Sequence, residues 1–407
     1  MSALQLLTYI VAALLIQLAA GLGLVWFRRR STPRVGSGQV VESVSRHAVG
    51  AWVGWRAFRV TRREFEDRSQ TQCSVYLEPV DGVALPMFRP GQFLTFSLSV
   101  AAHQTGEQEG QQVITRCYSL SDRPNPRSYR VTVKRVLLGL ASNHFHDSVH
   151  VGDIVQVKAP AGQFVMDTDA AVPAVLIAGG VGITPMMSML RWCLSEQPER
   201  VVHLYYGLRN GQEHAFKAEL ERLASAHANF HLTVVYSAAH ATDMEGCDFQ
   251  HQGHVNMDLL RRTLPHGRHQ FYICGPTAMM DSVVAALSDW GVPAQDIHFE
   301  RFGPSSTPAA DSSALQDTTL HAESFEIGFK QSARTLTWDG QDANLLDFAE
   351  RHGLLVESAC RSGVCGSCEV RLISGEVRYA RQPDYEVGSG RCLLCVGRPA
   401  SDLMMEA

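Results

Sequence analysis

Five of the ten cysteines in this 407-residue chain crowd between Cys360 and Cys395. Thiolates are ligands for iron and zinc, and Cys360-x4-Cys365-x2-Cys368 with a further Cys395 has the spacing at which four thiolates hold a 2Fe-2S cluster. The glycine-rich loop Arg361-Ser362-Gly363-Val364-Cys365-Gly366 surrounds the first of them. A second pattern competes with it. Cys365-x2-Cys368 and Cys392-x2-Cys395 form a pair of CxxC pairs, the arrangement of a zinc ribbon. Zinc would leave Cys360 without a role, and the separation between the pairs is slightly longer than in the usual ribbon. Either reading requires a reducing compartment. Cys73, Cys117, Cys193 and Cys247 are scattered and read as small buried apolar residues.

Three further motifs could bind anions or rings. Gly179-Gly180-Val181-Gly182-Ile183-Thr184-Pro185 follows an apolar run and precedes a helix predicted from Met186. Glycines there let backbone approach a pyrophosphate at a helix N-terminus, although any α/β turn needs a similar sequence. Arg116-Cys117-Tyr118-Ser119 offers a cation, a ring and a hydroxyl along one strand, which taken alone is equally an ordinary solvated face. Gly139-Leu140-Ala141-Ser142-Asn143 precedes a short predicted helix with Ser142 as its N-cap. Cys274-Gly275-Pro276 ends a strand at the carboxyl edge where open α/β sheets bind ligands. The seventeen histidines form no constellation of hydrolytic or redox metal type and read as surface or capping residues.

The elements that must position these residues follow from periodicity. Apolar residues make up 45% and charged residues 19%, which describes a globular chain. With 36 basic and 41 acidic side chains there is no basic excess for a nucleic-acid partner. Residues 2–27 carry no charge and Arg28, Arg29, Arg30 and Arg34 follow, which predicts a membrane anchor over residues 1–30 with the rest facing the cytoplasm. The expected location is therefore the inner (cytoplasmic) membrane, single-pass. Residues 31–54 read as a linker, with Trp52 and Trp55 placed at the membrane surface. Short alternating runs at 58–61, 74–78, 93–98, 129–134 and 154–158 predict an antiparallel β-barrel over 55–168, with the polar tract 103–112 as a loop. Continuous apolar runs at 174–178, 201–206, 232–237 and 270–274 alternate with helical segments and predict a parallel α/β domain over 172–304. A linker rich in Ser, Ala, Thr and Pro occupies 305–322, and a third domain occupies 323–407.

Taken together and in this order, the motifs resemble the ferredoxin-NADP reductase family joined to a plant-type ferredoxin. The module order is similar to that of phthalate dioxygenase reductase and the phenylacetate and hybrid-cluster reductases. His214-Ala215-Phe216-Lys217 and Glu300-Arg301-Phe302-Gly303-Pro304 resemble the reductase half of flavohaemoglobins. The resemblance implies an FAD-binding barrel, a nicotinamide-nucleotide domain and a β-grasp 2Fe-2S domain. It implies that Arg116 binds the flavin pyrophosphate, that Tyr118 packs on the isoalloxazine and that Ser119 bonds near N5, with Lys134, Ser142 and Asn143 also holding the flavin. Gly180, Gly182 and Thr184 would hold the nicotinamide nucleotide. Cys274 and Glu300 would flank its ring, and Phe302 would stand beside the flavin. Cys360, Cys365, Cys368 and Cys395 would be the cluster ligands, leaving Cys392 a bystander.

The expected activity is NAD(P)H-dependent electron transfer through FAD and a 2Fe-2S cluster to a separate oxygenase, hydroxylase or desaturase. The 305–322 linker would let the cluster domain swing between flavin and acceptor. Two alternatives stay open: an NADH:quinone-type dehydrogenase, and a flavin reductase whose third domain is a zinc-bound interaction module. Coenzyme choice is weakly encoded, because Gly207-Leu208-Arg209 lacks an acidic residue for the ribose diol while Arg209 and Lys217 tolerate a 2′-phosphate.

Overall fold

The structure, a computed structural model, describes residues 51–102, 110–169, 171–302, 324–354, 356–361, 363–380, 382–383, 385 and 387–407. Six strands with alternating inward apolar residues form the first sheet: β1 (Arg56–Phe65), β2 (Gln72–Pro79), β3 (Phe93–Ala102), β4 (Gly110–Ser119), β5 (Tyr129–Lys134) and β6 (Ile154–Ala161). Their order is β4-β3-β6-β1-β2-β5, with antiparallel pairing throughout. An isolated bridge between Leu120 and Val131 connects the end of β4 to β5, the other edge of the sheet. Phe58, Val60, Val75, Leu77, Phe96, Val131 and Val133 fill its interior, and helix α1 (Leu140–Asp147) adds Phe145. Within the tract expected as a loop, Gly110–Gln112 belong to β4, and 103–109 lie outside the described residues. Trp52 packs on the first sheet: its indole N–H donates to the Val157 carbonyl at 3.1 Å and its ring meets Phe58 at 5.5 Å.

The second sheet is parallel. Its strands β7 (Ala174–Gly179), β8 (Val202–Leu208), β9 (Phe230–Tyr236), β10 (His251–Gln252), β11 (Gln270–Gly275) and β12 (Ile297–Arg301) run in the order β10-β9-β8-β7-β11-β12. Every residue of β7 is buried, as continuous apolar strands covered on both faces require. Helices α2 (Ile183–Glu196), α3 (Lys217–Ala226), α4 (Met257–Thr263) and α5 (Thr277–Asp289) supply the covering layers. The order reverses beside β7, which starts in the middle of the sheet, and this is where open α/β sheets form a ligand crevice. Buried Arg130 on β5 ties the two sheets together. Its guanidinium lies 4.0 Å from Glu66 and 3.8 Å from Glu219 on α3, while Arg191 on α2 pairs with Asp122 at 2.5 Å and Glu219 at 2.7 Å.

The C-terminal part contains β13 (Phe325–Phe329), β14 (Arg334–Trp338), α6 (Leu345–Arg351), β15 (Glu369–Ser374), β16 (Val377–Tyr379), β17 (Arg391–Leu393), β18 (Gly397–Pro399) and β19 (Leu403–Met405). Five of the strands form a small sheet ordered β14-β13-β19-β15-β17, in which only β13 and β19 are parallel. The Asn344 side chain caps α6 by accepting from the Asp347 N–H at 2.9 Å.

One expectation is corrected outright. Among the described residues no helix is long and apolar enough to cross a membrane. The span expected over 1–30, and with it the single-pass location at the inner membrane, lies outside the described residues, as does the linker expected to swing. The inner-membrane assignment is therefore withdrawn.

The histidines also depart from expectation, because His146, His203, His214 and His269 are buried. The ring Nδ1 of His214 shares a 2.7 Å hydrogen bond with the Tyr236 hydroxyl, and its Nε2 is buried with no hydrogen-bond partner. Burial holds its pKa down to about 3. The unfolded chain takes up this proton as pH falls through about 6.5, the folded one only near 3, so stability present above 6.5 is lost as pH falls across that window. For His214 alone the loss between pH 6.5 and 5 is about 2 kcal/mol. Denaturant titrations at both pH values should show a smaller acid loss in His214→Gln than in the wild type. Parallel losses would contradict this assignment.

Candidate functional site

The residues singled out in the sequence converge on one cavity of about 480 Å³, within the usual size range of small-molecule sites. β4 contributes Arg116, Cys117, Tyr118 and Ser119, and β5 contributes Thr132 and Lys134. The turn after β7 contributes Val181 and Thr184, and the end of β12 contributes Glu300, Arg301 and Phe302. Ala359, Cys360 and Arg361 of the cysteine loop form a further wall.

Tyr118 is held rigidly. Its ring makes edge contacts with Phe96 at 5.7 Å and Phe145 at 5.1 Å, and burial pushes its hydroxyl pKa up, so the O–H remains a donor. Arg116 Nη1 donates to the Thr115 carbonyl at 2.7 Å. Lys134 Nζ lies 3.2 Å from Glu213 and so bridges β5 to the segment after β8. Lys134 and Arg116 thus bring two cationic groups to the cavity wall, Lys134 already paired with Glu213.

Not every expected residue reaches the wall. Helix α1 begins at Leu140 with Gly139 in the cap position, so Ser142 is not the N-cap: it lies inside the first turn, accepting from the Val136 N–H at 3.1 Å and donating to the Gly139 carbonyl at 3.2 Å. Asn143 is half-buried on the same helix. Helix α2 starts at Ile183 rather than Met186, after a short 3-10 turn over Gly180–Gly182. Gly180 has φ +52°, the left-handed region that favours glycine. Gly182 is required for a different reason: a Cβ there would lie 2.0 Å from the Cys274 carbonyl oxygen, so the glycine lets the turn pack against β11. Thr184 lines the cavity while its hydroxyl donates to the Val181 carbonyl at 3.0 Å. Cys274 is fully buried beside its register partner Glu300, and burial holds its thiol protonated. Lys217 is engaged by Asp248 and Glu221, whereas Arg209 is exposed, 3.8 Å from Glu213.

The cysteine loop has the chemistry of a thiolate cradle. Cys360 Sγ accepts from the Val364 N–H at 3.4 Å and the Cys365 N–H at 3.3 Å. Cys365 Sγ accepts from the N–H groups of Cys360 at 3.4 Å and Ser367 at 3.5 Å, and Cys368 Sγ accepts from that of Cys395 at 3.4 Å. Backbone donors aimed at sulfur suit anionic ligands. Arg361, Gly363 and Gly366 all have positive φ, and a Cβ on Gly366 would lie 2.2 Å from the Tyr385 ring. Backbone N–H groups link Cys360 with Cys365 in both directions and Cys395 with Cys368. Among the described residues no three His, Cys, Asp or Glu side chains converge on a single metal position. Cys392 faces elsewhere: it is buried, its Sγ is 4.0 Å from Met405 Sδ, and burial pushes its thiol up to about 12.

The sequence reading missed Arg301, Val181 and Ala359, which only the tertiary fold brings to the cavity. It also took Cys117 for a buried apolar residue. Cys117 is half-buried on the cavity wall and Cys247 is exposed, while Cys73 and Cys193 are buried as expected. Strand alternation places Cys117 on the face opposite Arg116 and Tyr118, so the sequence held no signal for it.

Comparisons with known proteins identify the modules that meet at this cavity. The oxidoreductase NAD-binding domain family matches residues 176–285, and the 2Fe-2S iron-sulfur cluster binding domain family matches 329–400. The flavohem-like FAD/NAD-binding domain of nitric oxide dioxygenase from Vibrio cholerae is 34% identical, covering 61% of this chain and 99% of that one, with a TM-score of 0.54. The chain therefore belongs to the family of FAD/NAD-binding reductases of the ferredoxin-reductase type, and a C-terminal 2Fe-2S ferredoxin domain follows the reductase module. Phthalate dioxygenase reductase, a modular structure for electron transfer from pyridine nucleotides to a 2Fe-2S cluster, is 26% identical over 87% of this chain and 98% of its own, with a TM-score of 0.54. A flavohemoprotein of Deinococcus radiodurans is 40% identical over 256 residues, 63% of this chain. The chain spans 61% of that protein's length.

The geometry predicts that Cys395→Ser removes the visible iron–sulfur absorption of the purified protein whereas Cys392→Ser retains it, with iron content assayed in parallel. Equal loss in both variants would restore the paired-CxxC reading.

Proposed function

We propose that this protein takes electrons from NADH or NADPH and passes them through FAD and a 2Fe-2S cluster to a separate oxygenase, hydroxylase or desaturase. The supporting observation is the shared cavity, walled by the Arg116–Ser119 strand, the Glu300–Phe302 strand end and the Cys360 loop. The modules on this reading are an FAD-binding β-barrel over 55–168, an NAD(P)-binding domain over 172–304 and a β-grasp 2Fe-2S domain over 323–407. The bridge from Leu120 to Val131 supports the barrel, and the parallel β13–β19 pair inside a mixed sheet supports the β-grasp.

Bound flavin accepts a hydride and releases single electrons, and a 2Fe-2S cluster takes them one at a time. The chain's own residues do the positioning. Arg116 and Lys134 supply charge for the flavin phosphates, and Tyr118, fixed by Phe96 and Phe145, supplies a rigid wall for the ring. Ser119 offers a hydroxyl beside it. Phe302, though exposed, lines the cavity, while Glu300 and Cys274 on paired strands shape the nicotinamide side. Gly180, Gly182 and Thr184 shape the turn that receives the nucleotide, and α1, with Ser142 and Asn143 set back from the cavity wall, supports the loop on the flavin side. Cys360, Cys365, Cys368 and Cys395 hold the cluster. The terminal acceptor is proposed from the likeness to phthalate dioxygenase reductase.

Anaerobic visible spectra before and after NADH addition test this directly: flavin and iron–sulfur bands should both be present and both bleach. Flavin bleaching alone, in a zinc-containing protein, would contradict the reading. Arg116→Ala should remove a charged hydrogen bond of about 1.5–3 kcal/mol and weaken FAD binding roughly 10- to 100-fold, read from recovery of free-flavin fluorescence. Unchanged affinity would remove Arg116 from the site.

A further inference from the structure

The segment between β8 and α3 is stitched to the flavin-side sheet by its backbone. The Gln212 carbonyl accepts from the Ser69 N–H at 3.1 Å and from the Ser69 hydroxyl at 3.0 Å. The Glu213 carbonyl accepts from the side chain of buried Gln72 at 3.2 Å, and the Phe216 N–H donates to the Glu66 carbonyl at 3.1 Å. None of these bonds uses the Glu213 carboxylate. It turns instead to two cations, 3.2 Å from Lys134 Nζ and 3.8 Å from Arg209 Nη1. Lys134 and Glu213 are both half-buried, and Lys134 lines the cavity.

Lys134 Nζ also stands over the glycine turn, because a Cβ on Gly180 would meet it at 3.9 Å. Gly180 opens the turn that leads into α2, and the N-terminal N–H groups of such a helix suit a phosphate. An ammonium has three donors but a single charge, which a carboxylate at this distance largely neutralises while it repels an incoming phosphate. A partly exposed pair of this kind adds little stability and is readily exchanged for another anion. The geometry points to Glu213 as an internal competitor: its carboxylate holds Lys134 and gives it up to a dinucleotide diphosphate, and so sets the affinity of the site. The diphosphate is that of FAD or that of the nicotinamide coenzyme, since both carry the same group and Lys134 reaches from the flavin-side sheet to the nucleotide turn. Glu213 acts through Lys134. The inference rests on the cavity being the proposed dinucleotide site.

The test is a double-mutant cycle on binding in the full-length protein, with Glu213→Gln, which keeps the side-chain shape, Lys134→Ala and the double variant. FAD binding to flavin-stripped protein is read from quenching of flavin fluorescence. NAD+ and NADP+ binding to oxidised, FAD-loaded protein is read from perturbation of the flavin absorption. Glu213→Gln should tighten FAD or nicotinamide-nucleotide binding roughly 3- to 10-fold, and the gain should largely vanish in the Lys134→Ala background. A gain on FAD assigns the flavin diphosphate, and a gain on the nicotinamide nucleotides assigns theirs. Unmoved or weaker binding of both in Glu213→Gln would overturn the inference, and so would an equal gain without Lys134, since general repulsion would then explain it. A wild type that binds neither would overturn the proposed function and this inference together, whereas wild-type binding with an unmoved Glu213→Gln variant overturns the inference alone.

Discussion

Cys360 and Arg361, remote in sequence from Arg116 and Tyr118, form one wall of the cavity that those residues open into. An electron passes efficiently only between groups held close together, so this juxtaposition is the constraint that the rest of the fold serves. The pair of cysteines nearer the cavity, Cys360 and Cys365, is half-buried, whereas Cys368 and Cys395 lie in the core of the third sheet. The proposed cluster therefore has one edge toward the flavin side and its other edge anchored in packed structure. Rigid support of the first kind comes from Tyr118, wedged edge-on between Phe96 and Phe145.

The two reductase modules are locked to each other by buried charge. Arg130 is nearly inaccessible and faces Glu66 and Glu219 from the two modules, with Arg191 completing the set through Asp122 and Glu219. Removing one partner of such a set leaves an uncompensated charge, which favours a single relative arrangement over many. That arrangement brings the ends of β4 and β12 to one cavity. Lys134 adds a bridge at the cavity edge through Glu213.

The parts of the site that were legible in the sequence are those whose chemistry is local. Cysteine spacing, the glycine turn after β7 and the Arg116–Ser119 alternation each depend on a few adjacent residues, and the structure brings these segments to one place. What depends on packing between distant segments was not legible. The reason for Gly182 is the Cys274 carbonyl on another strand, and the position of Ser142 follows from a helix that starts three residues earlier than its cap pattern suggests. Four histidines are buried because sheet and helix residues close over them, which periodicity alone does not reveal. The role of Cys392 was ambiguous from spacing; its contact with Met405 in the core supports the bystander reading. The anchor expected at the N-terminus rested on an uncharged run and the arginines after it, and no helix among the described residues supports a membrane span.

The central claim is that flavin and cluster share the cavity between β4 and the Cys360 loop. A crystal structure of the protein purified anaerobically with both groups bound measures this most directly. The account predicts the isoalloxazine ring against Tyr118, with the Ala359–Arg361 segment at its edge and the iron atoms held by Cys360, Cys365, Cys368 and Cys395. A flavin bound away from Tyr118, or a metal held through Cys392, would contradict it.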